Sequence, residues 1–120
     1  MKNILVIEDD KLISSLVSFR LRKDGYNVTM VEDGLMGMNA IDNDEPDLII
    51  TDVMIPFKNG IDLINHARKV SPKTPIILMS SLGEEEGTVL EAFNLGVSDF
   101  IPKPFNPNEL ALRVRLLINN

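Results

Sequence analysis

Cysteine and tryptophan are absent from this 120-residue chain, and histidine occurs once, as His66. Without cysteine, the chain has no disulfide, no thiolate metal ligand and no thiol nucleophile. With one histidine, a Ser–His–Asp arrangement has a single place to form. Because His66 lies inside a helical pattern, away from the predicted strand ends, we interpret it as a solvated or lightly packed residue.

Basic residues are also scarce, since twelve Lys and Arg face eighteen Asp and Glu and the formal charge is −6. This balance argues against nucleic acid binding, which needs a basic stripe. No apolar run approaches the ~20 residues of a membrane span, and no charged and then apolar leader is present. We therefore expect a cytoplasmic, soluble chain without membrane association. Its length and its hydrophobic content of 44% predict one globular domain over 1–120.

Short apolar runs alternate with longer helical patterns five times along the chain. The runs are continuous and rich in branched side chains, as in strands buried on both faces, and they cover 3–7, 27–31, 48–51, 75–79 and 100–101. The first helical pattern places on one face Leu12, Ile13, Leu16, Val17 and Leu21. Asp33, Asn59 and Asn106 are predicted N-caps of later helices. The last helix presents Leu110, Ala111, Val114, Leu117 and Ile118.

This order predicts an α/β fold, a doubly wound (βα)5 three-layer sandwich with a parallel sheet. We expect the flavodoxin-like strand order 2-1-3-4-5. In such sheets, ligands bind at the carboxyl ends of the strands beside the switch point, which here lies between strands 1 and 3.

Acidic residues occupy that place in the sequence. Strand 1 runs into Glu8-Asp9-Asp10, and strand 3 ends at Asp52. Glu8, Asp9 and Asp52 should converge, and carboxylates that share a pocket repel one another unless a cation holds them together. An oxygen ligand set without Cys or His suits Mg²⁺, with Mn²⁺ as a substitute. A solvated helix start is the competing interpretation of the acidic run.

Two further groups follow the fourth and fifth strands. Ser80 and Ser81 end strand 4, and Lys103-Pro104 ends strand 5. A hydroxyl and an ammonium beside a metal and carboxylates are the ingredients of phosphoryl transfer.

With these residues, the chain resembles the receiver domain of two-component response regulators, the CheY-like family. The resemblance covers essentially the whole chain, and it rests on five segments in order, 4–10, 47–56, 59–60, 75–81 and 103–105. It implies that Asp52 is the phosphoacceptor, which takes a phosphoryl group from the phosphohistidine of a sensor histidine kinase or phosphotransfer protein. It also implies that Asp9 binds Mg²⁺ directly, Glu8 directly or through water, and Met54 through its backbone carbonyl.

The resemblance implies a switch as well. Ser80 would hydrogen-bond the phosphoryl oxygen, Lys103 would pair with the phosphoryl group, and Phe100 stands at the aromatic switch position. The family's output face consists of the fourth helix, fifth strand and fifth helix, and it would act on a downstream protein or effector domain. The Lys103–Pro104 peptide bond is expected to be cis. The chain would not be an enzyme beyond assisting its own phosphorylation and slow dephosphorylation.

Other functions are possible on this fold. A flavin-binding electron carrier would need a phosphate loop where the chain has acids. An aspartyl phosphatase needs a second Asp two residues after the nucleophile, where Met54 stands. A degenerate receiver that binds partners without phosphorylation is the remaining alternative. Phe100 as an ordinary core residue and Ser80 as an ordinary turn hydroxyl are the structural alternatives for the switch positions.

Overall fold

The computed structural model describes residues 1–53, 55, 59–81 and 86–119, and all side chains in these ranges except those of residues 81, 86 and 88. Strands and helices alternate in the order β1 (Asn3–Ile7), α1 (Lys11–Lys23), β2 (Asn27–Val31), α2 (Gly34–Asp44), β3 (Leu48–Asp52), α3 (Gly60–Val70), β4 (Ile76–Ser81), α4 (Glu86–Asn94), β5 (Asp99–Lys103) and α5 (Pro107–Ile118). The last two strands are longer than the sequence pattern predicted. No helix in the described part of the chain is long and apolar enough to cross a bilayer.

The five strands form one parallel sheet in the order β2-β1-β3-β4-β5, which confirms the predicted topology. Alternate residues of each strand point to opposite faces of the sheet, as the period of two requires. Leu5 and Ile7 pack with α2, α3 and α4 on one face, whereas Ile4 and Val6 pack with α1 and α5 on the other. The fold is therefore the three-layer sandwich expected for a doubly wound sheet.

The buried face of α1 differs from the predicted one. Val17 and Leu21 are buried as expected, but Leu12 and Leu16 are 70% and 50% exposed. The other buried positions are Ser14 and Ser18. Ile13 is half-buried and packs against the same core cluster as Val17. The apolar pattern therefore identified three of the five positions, and the buried face is rotated away from the other two because small hydroxyl side chains lie on it.

The three predicted N-caps are confirmed. Asp33 Oδ1 accepts a hydrogen bond from the backbone N–H of Met36 at 2.8 Å. Asn59 Oδ1 accepts from the backbone N–H three residues further on at 3.0 Å, and Asn106 Oδ1 accepts from the backbone N–H two residues further on at 2.8 Å. These bonds satisfy N–H groups that have no partner within the helix, so they fix where α2, α3 and α5 begin. The Lys103–Pro104 peptide bond is cis.

Candidate active site

The carboxyl ends of β1 and β3 lie side by side, since Ile7 is in register with Thr51. The next residues, Glu8 and Asp52, are 1% and 5% exposed, whereas Asp9 is exposed to solvent. Carboxylate oxygens of these three acids lie within 4.8 Å of one another. The structure thus brings together the acidic residues that the strand order predicted.

The third acid of the Glu8-Asp9-Asp10 run has a different role. Asp10 is the N-cap of α1, and its Oδ1 accepts from the backbone N–H groups of Leu12 and Ile13 at 2.9 and 3.3 Å. The helix-start interpretation therefore applies to Asp10 alone. Glu8 and Asp9 lie in the carboxylate cluster.

Lys103 joins this cluster from the end of β5. Its Nζ donates a hydrogen bond to Glu8 Oε1 at 2.5 Å and another to Asp52 Oδ2. Its side chain is largely buried. Charge-assisted hydrogen bonds of this kind are the strong ones, and a low local dielectric strengthens them further. One ammonium therefore holds two buried carboxylates that come from different strands.

The electrostatics of the cluster leave it short of positive charge. Burial raises the pKa of Glu8 to about 7, the hydrogen bond from Lys103 opposes that rise, and the neighbouring Asp52 adds to it. Burial alone would lower the pKa of Lys103, but the hydrogen bonds to Asp52 and Glu8 outweigh it, so this pKa is raised. Among the residues that the structure describes, three carboxylates face one ammonium here, which favours a further cation.

The donor set fits a hard divalent cation. Carboxylate oxygens are the ligands that Mg²⁺ prefers, and the ligand atoms that the described residues bring together here are all carboxylate oxygens. Asp9 is open to solvent, so an ion would keep part of its water shell. Met54, whose backbone carbonyl is the fourth predicted ligand, lies outside the described residues, and its role stays a prediction.

The two predicted switch residues lie on the neighbouring strands. Ser80 is buried at the end of β4, one residue beyond Met79, which is in register with Asp52. Phe100 on β5 is half-buried, and its ring centroid lies 6.4 Å from that of Phe93 on α4. Ser80 thus lies beside the carboxylate cluster and Phe100 lies against α4, and their roles in switching stay predictions.

His66 interacts with α2 on the neighbouring part of the fold. Its Nε2 lies 2.7 Å from Asp42 Oδ1, so the imidazole links α3 to α2 and has no bond to the carboxylate cluster. This geometry agrees with the interpretation of His66 as a lightly packed, non-catalytic residue.

Two features of the site were not predicted from the sequence. One is the double hydrogen bond of Lys103, because strand order alone does not show that this side chain reaches Glu8 as well as Asp52. The other is the close approach of Gly60 to the backbone of Asp52. A glycine directly after a predicted N-cap was the available signal for the second feature.

The chain belongs to the response regulator receiver domain family, whose model matches residues 4–115. It is 39% identical over 118 residues to the transcriptional regulatory protein CpxR of Escherichia coli K12, a match that covers 98% of this chain and 50% of CpxR. The chain therefore spans about half the length of this relative.

Solved structures agree with this family. A CheY-like receiver domain protein from Methanospirillum hungatei JF-1 has a TM-score of 0.94 at 25% identity, with 99% of this chain and 94% of that chain covered. The receiver domain of the sensor histidine kinase PA1611 from Pseudomonas aeruginosa PAO1 has a TM-score of 0.88 at 26% identity, with 99% and 98% covered. That structure has a magnesium ion coordinated in its active site cleft.

Proposed function

We propose that this chain is a phosphoacceptor domain that takes a phosphoryl group onto Asp52 from the phosphohistidine of a histidine kinase or phosphotransfer protein. One observation carries the proposal. The buried Asp52 carboxylate receives a hydrogen bond from Lys103 and shares a metal-sized cluster with Glu8 and Asp9. A buried carboxylate between an ammonium and a cation site is suited to in-line phosphoryl transfer, which needs positioning and charge neutralisation more than covalent assistance.

In this reaction an Asp52 oxygen forms the new P–O bond while the P–N bond to the donor imidazole breaks. The bonding pair stays on the imidazole nitrogen. Lys103 is already beside Asp52 and can follow the negative charge onto the phosphoryl oxygens. The chain itself is then a substrate that assists its own phosphorylation and slow dephosphorylation, rather than an enzyme acting on other molecules.

We assign the cation site to Mg²⁺, with Mn²⁺ as a substitute. Asp9, Asp52 and the Met54 carbonyl would hold it, with Glu8 as a direct or water-mediated ligand. A bound ion supplies charge neutralisation for the phosphoryl group. Support comes from the all-oxygen donor set and from the magnesium ion in the cleft of the similar PA1611 receiver.

The output is proposed to leave through the face formed by α4, β5 and α5, with Ser80 and Phe100 as the switch residues. The downstream partner would be another protein or an effector domain. CpxR, of which the chain covers half, is a transcriptional regulatory protein. This chain's own excess of acidic residues disfavours direct nucleic acid binding. The proposed setting is the cytoplasm, where kinase and receiver would meet.

A phosphorylation-independent receiver is the alternative, and the site disfavours it. Such a protein has no need of a buried Asp52 held by Lys103 beside two further acids, because burying charged groups is costly unless they are paired.

Labelling with a small phosphodonor tests the proposal. With Mg²⁺, intact mass spectrometry should show one added phosphoryl group, lost on chelation of the metal and absent in Asp52→Asn. Asp44→Asn, which removes an exposed carboxylate from the end of α2, is the matched control and should label like the wild type. Equal labelling of Asp52→Asn and the wild type would overturn the assignment of the phosphoacceptor.

A further inference from the structure

Gly60 lies against the backbone of the proposed phosphoacceptor. It is the first residue of α3, and its N–H donates a hydrogen bond to the carbonyl of Val53 at 2.8 Å. A Cβ atom at this position would stand 2.7 Å from the Asp52 carbonyl oxygen and 3.0 Å from Val53 Cα. Both neighbours are backbone atoms, so neither can rotate away as a side chain would. Any residue other than glycine therefore requires α3 or the end of β3 to move.

Neither of these elements is free to move alone. On the β3 side, the Val53 N–H donates to the Met79 carbonyl at 3.1 Å, and Thr51 Oγ1 donates to the Asp52 carbonyl at 3.0 Å. On the α3 side, Leu63, Ile64 and Ala67 are buried in the core below the sheet. Close-packed interiors have little spare volume to absorb such a shift. The displacement forced by a Cβ at position 60 must therefore be passed on to Asp52.

We infer that Gly60 is a positioning residue of the phosphoryl-transfer site, which sets where the Asp52 carboxylate stands relative to Glu8, Asp9 and Lys103. It acts through the backbone and contacts no reacting atom. The inference rests on the proposed function, and it assigns a role to a glycine that the charge pattern of the site does not reveal. A misplacement near 1 Å is enough to cost on the order of 100-fold in a reaction that depends on positioning.

Gly60→Ala is the test, with Mg²⁺ affinity and phosphorylation rate as separate readouts. We expect the phosphorylation rate to fall by roughly tenfold or more, because the reaction depends on the position of Asp52, and we expect weaker Mg²⁺ binding. Amide shifts of Asp52 and Val53 should also change in the metal-free protein.

Two other glycines supply matched controls. In Gly37→Ala the new Cβ would meet Ile7 Cδ1 at 3.0 Å and Leu63 Cδ2 at 3.1 Å, which are ends of flexible side chains that can rotate away, unlike the backbone atoms that face Gly60. In Gly87→Ala, on α4, it would meet no atom of the described residues within 4 Å. Gly37→Ala should change the free energy of unfolding, and both controls should keep the wild-type Mg²⁺ affinity.

Wild-type Mg²⁺ affinity and rate in folded Gly60→Ala would overturn the inference, and so would an equal loss of affinity in Gly37→Ala. A Gly60→Ala chain that does not fold, beside a folded Gly37→Ala chain, would overturn it too, because Gly60 would then serve the fold. Failure of the wild type to label at Asp52 would instead contradict the proposed function. The ratio of the Mg²⁺ affinities of Gly60→Ala and the wild type would still test whether Gly60 positions the carboxylate cluster.

Discussion

A metal ion in the proposed site would compete with Lys103 for the same carboxylates. The ammonium already donates to Glu8 and Asp52, so a cation that enters the cluster meets a like charge close by. Like charges a few ångströms apart repel by on the order of a few kcal/mol at the effective dielectric of a protein site. Lys103 stabilises the metal-free carboxylate cluster, and the same positive charge is expected to weaken the affinity of the cluster for a metal ion.

Lys103→Met is therefore expected to bind Mg²⁺ about tenfold more tightly than the wild type, because a repulsive charge is lost, while its phosphorylation slows. Calorimetric Mg²⁺ titration and phosphodonor labelling measure the two effects. Lys73→Met, which removes an exposed lysine from the loop before β4, is the control for net charge. An unchanged or weaker Mg²⁺ affinity in Lys103→Met would contradict this account.

Glu8 gives the site a pH dependence whose sign follows from its pKa. The pKa is raised by burial from 4.5 to about 7, so the folded chain holds this proton more tightly than the unfolded chain does. The free energy of unfolding of the metal-free protein should therefore fall as pH rises from about 4.5 to about 7. Mg²⁺ needs the ionised carboxylate, so its affinity should rise over the same interval.

Chemical denaturation in chelator at pH 5, 6, 7 and 8 measures this effect of Glu8. The fall in stability should be much smaller in Glu8→Gln, whose side chain stays neutral throughout. Glu32→Gln, at an exposed position after β2, should keep the wild-type dependence. A Glu8→Gln profile parallel to that of the wild type would place the titrating group elsewhere.

Among the helices, α1 shows which features of a buried face an apolar pattern can predict. The predicted face combined Leu12 and Leu16 with Val17 and Leu21, although the helix has two apolar faces. Only the second pair packs on the sheet. Periodicity could not choose between them, because Ser14 and Ser18 complete the buried face and burial of serine cannot be read from hydropathy.

The strands and caps were predictable because each depends on local chemistry. Five apolar runs in alternation with helices leave few topologies, and the parallel order then brings Glu8 and Asp52 together. The position of Gly60 against Asp52 was not predictable in this way. It depends on how α3 packs, which is a tertiary distance that no spacing along the chain encodes.

Leu21→Ala and Leu16→Ala compare the two faces of α1 with the same chemical change. Leu21 is fully buried between α1 and the sheet, so its truncation should cost about 2–5 kcal/mol of unfolding free energy. Leu16 is half exposed, so its truncation should cost less than about 1 kcal/mol. Urea denaturation measures both. Equal losses would mean that α1 is rotated from the orientation described.

At the scale of the whole molecule, the carboxylate cluster and the proposed output face share two strands. β4 ends at the site, and its register with β5 pairs Ser80 with Pro102 and Leu78 with Phe100. On the outer side, Arg113 of α5 donates to Asp99 Oδ1 at 2.7 Å and to the Phe100 carbonyl at 3.1 Å. The Phe100 ring lies against Phe93 of α4, and the Phe100 backbone carbonyl accepts from Arg113 of α5. We therefore expect a rearrangement at Ser80 to reach α4 and α5 through Phe100.

Phe100→Leu tests this path. Beryllofluoride with Mg²⁺, a phosphoryl mimic, should shift wild-type backbone amides in β4, α4, β5 and α5. It should leave Lys2 and Lys73, which precede the amino ends of β1 and β4, almost unchanged. In Phe100→Leu the mimic should still bind within about threefold of wild type, because β4 lies between Phe100 and the strand that carries Asp52. The shifts in α4 should shrink, since the aromatic contact with Phe93 is lost.

Phe19→Leu is the matched control, because this ring on α1 is 73% exposed to solvent. It should retain the full response of α4. A full α4 response in Phe100→Leu would show that the signal bypasses the ring, and Phe100 would then be a packing residue of β5. A loss of mimic binding in that variant would place Phe100 in the phosphoryl site itself. Reduced α4 shifts with intact binding would leave Phe100 as the physical connection between the phosphorylated site and the surface that a partner contacts.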